Sequence, residues 1–281
     1  MAAMKRPNSK RNLDMAIRRL GNGNADYLRM RTLIANAIVC QLMPKGAVKG
    51  GSSLKIRFGD RGTRATVDLD VARSQDLESF LGDFQERLEE GWNGFTARLA
   101  SREPPTPLGI PTAYVMQPYE VKLSYLGSPW CTVLFELGHD EIGDADDPDM
   151  VEPVEASRLL AALGFPEVGP VPLMRLEHQI AQKLHALTER DSQRAHDLID
   201  LQLIVANGEV NYADVLATCK RLFDYRKAQA WPPTVTENDG WAEIYKEQSA
   251  GLDVLPNVAE AVVWANRLIS RIDSQAQPPL K

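Results

Sequence analysis

The chain has 281 residues, 44% hydrophobic and 25% charged, the balance of an ordinary globular protein with room for one large or two modest domains. Its net charge of −6 speaks against coating nucleic acid by bulk electrostatics, but the charge is uneven: the first fifth carries Lys5, Arg6, Lys10, Arg11, Arg18, Arg19, Arg29 and Arg31, while 140–152 is acidic. Three scattered cysteines (Cys40, Cys131, Cys219) argue against a disulfide framework or zinc site, and no signal-like or membrane-spanning apolar run occurs, so a cytoplasmic protein with no membrane partner is expected.

Apolar spacing predicts helices over 12–20 and 26–42, parted by Gly21-Asn22-Gly23-Asn24. A short strand over 47–49 enters the pair Gly50-Gly51, and 52–58 reads as a brief helix whose N-terminus faces that turn. A loop over 61–64 leads into a strand over 66–71, with Val67, Leu69 and Val71 expected in the core. One long amphipathic helix is expected over 74–99, on a stripe of Leu77, Phe80, Leu81, Phe84, Leu88 and Trp92. Four prolines make 101–111 a linker or crossing loop. Alternation over 119–125 and 130–137 around Leu126-Gly127-Ser128-Pro129 predicts a hairpin, and an acidic loop follows over 139–152. The remainder reads as helices over 154–163, 173–187, 193–206 and 212–223, then two or three shorter ones. The expectation is an α+β protein: a small mixed-sheet domain over 1–150, then a helical domain over 151–281.

The chemistry concentrates around residues 49–70. In a strand Asp68 and Asp70 share a face, and two like charges there repel unless a cation lies between them, which is the signature of a hard-metal site. Gly50, Gly51 and Ser52 offer backbone N–H groups and a hydroxyl to phosphate. Metal plus phosphate cradle is the equipment of phosphoryl or nucleotidyl transfer. A third carboxylate is expected from Glu136, which alternation sets opposite Val133, Phe135 and Leu137; Glu120 on the partner strand competes for that role.

Further on, Leu176, Ile180, Leu184 and Leu187 form a buried stripe that leaves Lys183 beside it, by itself a position for a snorkelling surface lysine. Asp197 and Asp200 lie three apart on one helix face, within reach of a salt bridge to Arg194 or Lys183. The four histidines, His139, His178, His185 and His196, have neither zinc-ligand spacing nor triad context.

Taken together, the motifs resemble the AbiEii/AbiGii group of abortive-infection nucleotidyltransferase toxins, minimal members of the DNA polymerase β-type superfamily from type IV toxin–antitoxin systems. The residues carrying the resemblance are Gly50-Gly51-Ser52-Ser53-Leu54, Arg64-Ala65-Thr66-Val67-Asp68-Leu69-Asp70, Ala181-Gln182-Lys183-Leu184-His185-Ala186, Arg190, and Arg194-Ala195-His196-Asp197-Leu198-Ile199-Asp200-Leu201. His196 departs from the pattern, which commonly has lysine there.

The resemblance implies Asp68, Asp70, Lys183 and Asp197 as catalytic residues. It implies Gly50, Gly51, Ser52, Lys55, Arg64 and Thr66 as nucleotide-binding residues, and Asp68, Asp70 and Glu136 as ligands of Mg²⁺ or, alternatively, Mn²⁺. It further implies an NTP substrate, an RNA acceptor such as the tRNA 3′ end, and a cognate antitoxin. A basic groove from Arg18, Arg19, Arg29, Arg31, Lys45, Lys49, Lys55, Arg57, Arg61 and Arg64 would serve the RNA. The alternatives are a nucleotidyltransferase acting on a small molecule or protein hydroxyl, a nucleotide-sugar transferase using Asp68 and Asp70, and a non-catalytic interaction module.

Overall fold

The structure, a computed structural model, describes residues 5–104 and 115–276. It contains two compact units, one of residues up to Arg57 plus Val67–Leu173, the other of Phe58–Thr66 plus Met174 onward.

The first unit is built on a mixed sheet. Its strands are β1 (Gly46–Lys49), β2 (Asp68–Arg73), β3 (Phe95–Ser101), β4 (Gln117–Tyr125), β5 (Ser128–His139), β6 (Asp149–Val151) and β7 (Val171–Leu173), in the order β3-β4-β5-β2-β1-β7-β6. The parallel pairing of β2 with β5 and the antiparallel pairing of β1 with β2 matter most, because they fix which side chains share a face. Around the sheet lie α1 (Lys10–Leu20), α2 (Asn24–Leu42), α3 (Gly50–Phe58), α4 (Leu77–Glu90) and α5 (Val154–Ala162). Leu13 and Ile17 of α1, Ile34 and Ile38 of α2, and Phe80 and Phe84 of α4 join Leu69, Val71, Phe135 and Leu137 of the strands in one core.

The expected 119–125/130–137 hairpin forms with longer strands. Leu126 (φ 47°) and Gly127 (φ 76°) make a two-residue turn with both residues left-handed, the twist that right-handed strands require. The long helix expected over 74–99 is corrected. It stops at Gly91, whose φ of 74° lies in the left-handed region, and the chain reverses through Asn93 (φ 50°) and Gly94 (φ 87°) into β3. Trp92 and Phe95 exchange backbone hydrogen bonds of 2.8 and 2.9 Å across this turn. Only Leu77 to Leu88 belongs to the helical stripe; Phe95, Ala97 and Leu99 alternate, and pairing with β4 decides their state.

Two further expectations change. Strand β2 begins at Asp68, so Val67 lies outside the ladder and is 71% exposed, while Leu69 and Val71 are fully buried as expected. The helix expected from 173 begins at Leu176; Val171–Leu173 is instead a strand on β1, and Asp149–Val151, within the expected acidic loop, pairs with it. Of the expected proline-rich linker, Arg102 to Pro104 is irregular and 105–111 falls outside the described residues.

Among the described residues, the regular elements of the second unit are α-helices and two short 3₁₀ turns, Asp60–Gly62 and Ser274–Ala276. It comprises α6 (Leu176–Leu187), α7 (His196–Asn207), α8 (Tyr212–Arg226), α9 (Trp241–Gln248) and α10 (Val258–Asp273). Leu184, Leu198, Ile199, Leu201, Ile204, Trp241, Tyr245, Ala265 and Ile272 are all nearly or fully buried, with α7 packed on α6, α9 and α10. The polar ends of the two large aromatics are satisfied: Trp241 Nε1 donates to the Ser192 carbonyl at 2.6 Å, and the Tyr245 hydroxyl to the Leu255 carbonyl at 2.8 Å. Among the described residues no helix is long and apolar enough to cross a membrane.

Candidate functional site

In the first unit, register brings the predicted carboxylates together. Asp70 pairs with Glu136 across the parallel ladder, and Asp68 lies two residues back on the same face. All three are half-buried between fully buried neighbours: Leu69 and Val71 on β2, Phe135 and Leu137 on β5. Lys49, the last residue of β1, is opposite Asp70 from the other side, and its ammonium reaches as far as Gly138, 3.2 Å from where a Cβ on that glycine would stand.

The charges behave as an under-neutralised set. Burial raises the Glu136 carboxyl above the ordinary range, and Asp70 and Asp68 raise it further, against opposition from Lys49 and Arg102. Burial also raises Asp68, with Arg102 opposing. The donor set, three hard carboxylate groups facing one way with the two aspartates raising Glu136, fits a divalent cation of the Mg²⁺ class in chemical type. Among the described residues, however, no three His, Cys, Asp or Glu side chains stand as a group that could hold a metal ion.

The glycine turn is coupled to this face. Gly50 has φ of 64°, and a Cβ there would lie 2.3 Å from Asp70 Oδ2, so both backbone conformation and space demand glycine. α3 starts at once, which leaves the N–H groups of its first turn without helical acceptors. The Ser52 hydroxyl, expected to face phosphate, donates to the Asp68 carbonyl at 2.7 Å and ties α3 to the first residue of β2. Lys55 falls in the last turn of α3.

Sequence reasoning did not foresee Asp144. It is 2% exposed, its N–H donates to Asp140 Oδ1 at 2.6 Å, and its Oδ1 accepts from the Glu141 N–H at 3.1 Å. Burial first, then the bond with Asp140, push its carboxyl up to about 7, against opposition from Lys49. Nothing in a loop pattern of Asp and Gly foretells which aspartate is buried.

In the second unit the helical motifs close on themselves. Lys183 is not a snorkelling surface residue; it is 5% exposed and donates to Asp197 Oδ1 at 2.7 Å and Asp200 Oδ2 at 2.6 Å. Asp200 also receives Arg64 in a two-pronged bond, Nε at 2.9 Å and Nη2 at 3.0 Å. Asp197 receives Arg194 Nε at 2.8 Å. Burial alone would depress the Lys183 ammonium, but Asp197 and Asp200 hold it above its ordinary range. Asp197 is driven the other way: burial raises it, and Lys183, Arg194 and His196 together outweigh burial and leave it depressed. His196 is depressed to about 4, by burial first and by Arg64, Arg194 and Lys183, with only Asp197 opposing. It is therefore neutral at pH 7, so the positive contact common at this motif position is not made by this residue.

Asp200, not singled out as a site residue, is the hub of this cluster; its three-residue offset from Asp197 is the signal that could have marked it. Arg64 is held by Asp200, and Thr66 lies in irregular chain, half-buried. Arg190 is 95% exposed. The cysteines are free; burial pushes Cys40 and Cys131 up to about 12 and Cys219 well above its ordinary range, so none is a reactive thiolate.

Comparison with known proteins bears on the family and the fold. The model of the family described as "Nucleotidyl transferase AbiEii toxin, Type IV TA system" matches residues 33–258. Among solved structures, MenT4, a nucleotidyltransferase toxin from Mycobacterium tuberculosis, is 16% identical, with 93% of this chain and 97% of that chain covered and a TM-score of 0.51. JHP933 from Helicobacter pylori is also 16% identical, covering 88% of this chain and 92% of that one at a TM-score of 0.46. No curated protein sequence matches. The mixed sheet and helical portion are those of a nucleotidyltransferase toxin fold. With four-fifths of its length inside the family match, the chain belongs to the AbiEii nucleotidyltransferase toxins of type IV toxin–antitoxin systems.

Proposed function

We propose that this nucleotidyltransferase toxin is Mg²⁺-dependent and adds nucleotides from an NTP to an RNA acceptor, the 3′ end of tRNA, thereby inhibiting translation and growth. The observation that carries the reading is the one-face set Asp68, Asp70 and Glu136, placed by register beside the glycine turn that opens α3. Asp68 and Asp70 would hold the divalent ion with help from Glu136, with Mn²⁺ as the alternative. When bound, such an ion lowers the pKa of an attacking hydroxyl and offsets charge on the departing pyrophosphate.

The chain's own residues do the remaining work. The first-turn N–H groups of α3, from Gly51 and Ser52, are donors for triphosphate oxygens, with Lys55 adding positive charge. Gly50 leaves the Asp70 carboxylate the space it occupies. In the second unit, Lys183 and Asp197 take the roles the family motif gives them: a cation for developing negative charge, and the carboxylate that keeps it protonated. A cognate antitoxin is the expected protein partner, and the cytoplasm the expected compartment.

Incubating the protein with labelled NTPs one at a time, total tRNA and Mg²⁺ should label tRNA, and Asp68→Ala should abolish it. No labelling with any NTP, in Mg²⁺ or Mn²⁺, would remove the RNA acceptor. Transfer to a small acceptor or a protein hydroxyl with tRNA untouched would replace it.

A further inference from the structure

The basic residues expected to line one groove do not remain equivalent in the folded first unit. Arg29 is held by Glu155 at 2.7 Å and Arg57 by Asp149 at 2.7 Å. The helix α1 behaves differently. Arg11, Met15, Arg18 and Arg19 follow the i, i+4, i+7, i+8 spacing that puts them on one face, opposite the fully buried Leu13 and Ile17. All four are exposed. Among the described residues no carboxylate pairs with Arg11 or Arg19.

The carboxylates that could neutralise this face are turned to other tasks. Residues 5–31 contain eight basic side chains and only two acidic ones, in a chain whose net charge is −6. Asp14 Oδ1 accepts the Tyr27 hydroxyl and Trp130 Nε1, each at 2.9 Å, while Oδ2 meets Lys10 at 3.1 Å. Asp26 accepts the Asn22 N–H at 2.8 Å. Arg18 lies 3.8 Å from the Tyr27 ring centroid and donates to Asn24 Oδ1 at 3.1 Å, so its plane is fixed before any ligand arrives.

We propose that the outer face of α1 is an RNA-backbone docking surface, with Arg11, Arg18 and Arg19 meeting phosphates of the acceptor. The proposal rests on the RNA-acceptor reading above and adds where the body of that RNA is held. Charge complementarity selects the occupant: guanidinium groups arranged on a rigid helix are suited to phosphates. An anionic membrane is the poorer match, since a helix that lies in a bilayer surface needs a row of exposed apolar side chains. Met15 is the one such residue on this face, the apolar stripe being spent on the core.

The test uses the full chain, fluorescently labelled tRNA, and binding isotherms over a range of salt. The triple variant Arg11→Gln, Arg18→Gln, Arg19→Gln should bind tRNA roughly ten- to a hundredfold more weakly. Its slope of log affinity against log salt should fall by about 2, as each phosphate contact contributes about 0.7 to 0.9. The pair Arg11→Gln, Arg19→Gln, which leaves the Arg18–Tyr27 stack intact, should show an intermediate loss and an unchanged melting temperature. Asp68→Ala should bind tRNA like wild type while failing to label it. Equal affinity and slope in the triple variant overturn the docking face and leave the acceptor reading intact if wild type labels tRNA. Binding that the triple variant loses, without any labelling by wild type, upholds the face and removes the acceptor reading. No tRNA binding by wild type at low salt overturns the face, as does loss of binding to phosphatidylglycerol-containing vesicles with tRNA binding unchanged.

Discussion

The two units treat buried charge in opposite ways. In the first, Asp68 and Glu136 are raised by burial, Glu136 further by its neighbouring carboxylates, and Lys49 and Arg102 compensate only in part. In the second, Asp197 is depressed and Lys183 raised, because each finds its opposite within 2.7 Å. Carboxylates held against their own repulsion give up stability that a bound cation could restore, whereas a closed cluster of Lys183, Asp197, Asp200, Arg64 and Arg194 has already satisfied itself. The contrast teaches that one set of acids is left under-compensated, as the cation site proposed above requires, while the other holds a lysine charged and in place.

The largest expected effect comes from substituting matched residues in the two sets. Asp70→Asn should lower nucleotidyl transfer at least about a hundredfold while leaving the melting temperature unchanged or raised, since it relieves repulsion. Asp200→Ala should instead cost about 3–5 kcal/mol of stability, because it strands Lys183 and Arg64 together. Denaturant unfolding of both variants checks the pair; a stability loss for Asp70→Asn as large as that for Asp200→Ala would erase the distinction. A double-mutant cycle between Arg64→Ala and Asp200→Ala should give a coupling on the order of 1–3 kcal/mol.

Gly50→Ala sharpens the first half of the comparison. It places a methyl 2.3 Å from Asp70 Oδ2 at a residue with φ of 64°, and should cost about 1–3 kcal/mol. Displacing Asp70 should also lower transfer activity, with the loss exceeding that of a surface control such as Gly62→Ala.

Divalent ions probe the same half from the ligand side. Millimolar Mg²⁺ or Mn²⁺ should raise the melting temperature of wild type by a few degrees, and a chelator should reverse it. The shift should shrink in Glu136→Gln and vanish in Asp68→Asn with Asp70→Asn. An undiminished shift in the double variant would place the ion elsewhere.

Acid should separate the units by small opposing amounts. His196 is depressed to about 4, so folding excludes a proton that the unfolded chain takes up near 6.5; its stabilising contribution is present above that value and lost as pH falls toward 4. Asp197 adds a loss in the same direction below about 3.8, the unfolded value. Asp144, raised to about 7, has the opposite sign: its contribution is fullest below 3.8 and is lost as pH rises through 7. Hydrogen exchange between pH 7 and 5, corrected for the intrinsic rate, should show α6 and α7 losing protection while the 139–151 segment gains it. Parallel loss in both would break the comparison.

Particular residues show how far the sequence could be read. Period-two alternation was enough to put Asp68, Asp70 and Glu136 opposite their apolar neighbours, because strand side chains alternate whatever the partner. Period 3.6 placed Leu176, Ile180, Leu184 and Leu187 in a core. The strand β3 was not legible as such, because a helical stripe running to Leu88 extends naturally through Trp92 toward Leu99. Short β6 and β7 carry too few residues to show a period. Asp200 looked like one half of an ordinary i, i+3 pair until Arg64, 136 residues earlier, arrived on it.

The sequence by itself thus determined the local chemistry: which residue types stand at which spacing, the glycine–serine turn ahead of the aspartates, and the motif order that marks the family. The tertiary structure alone decided what each charge experiences. Burial and distant partners, not local pattern, depress Asp197 and His196, raise Glu136 and Asp144, and turn Asp14 away from the arginines of α1. Electrostatic energy depends on distance and on exclusion of water, and neither is a property of neighbouring letters in a chain.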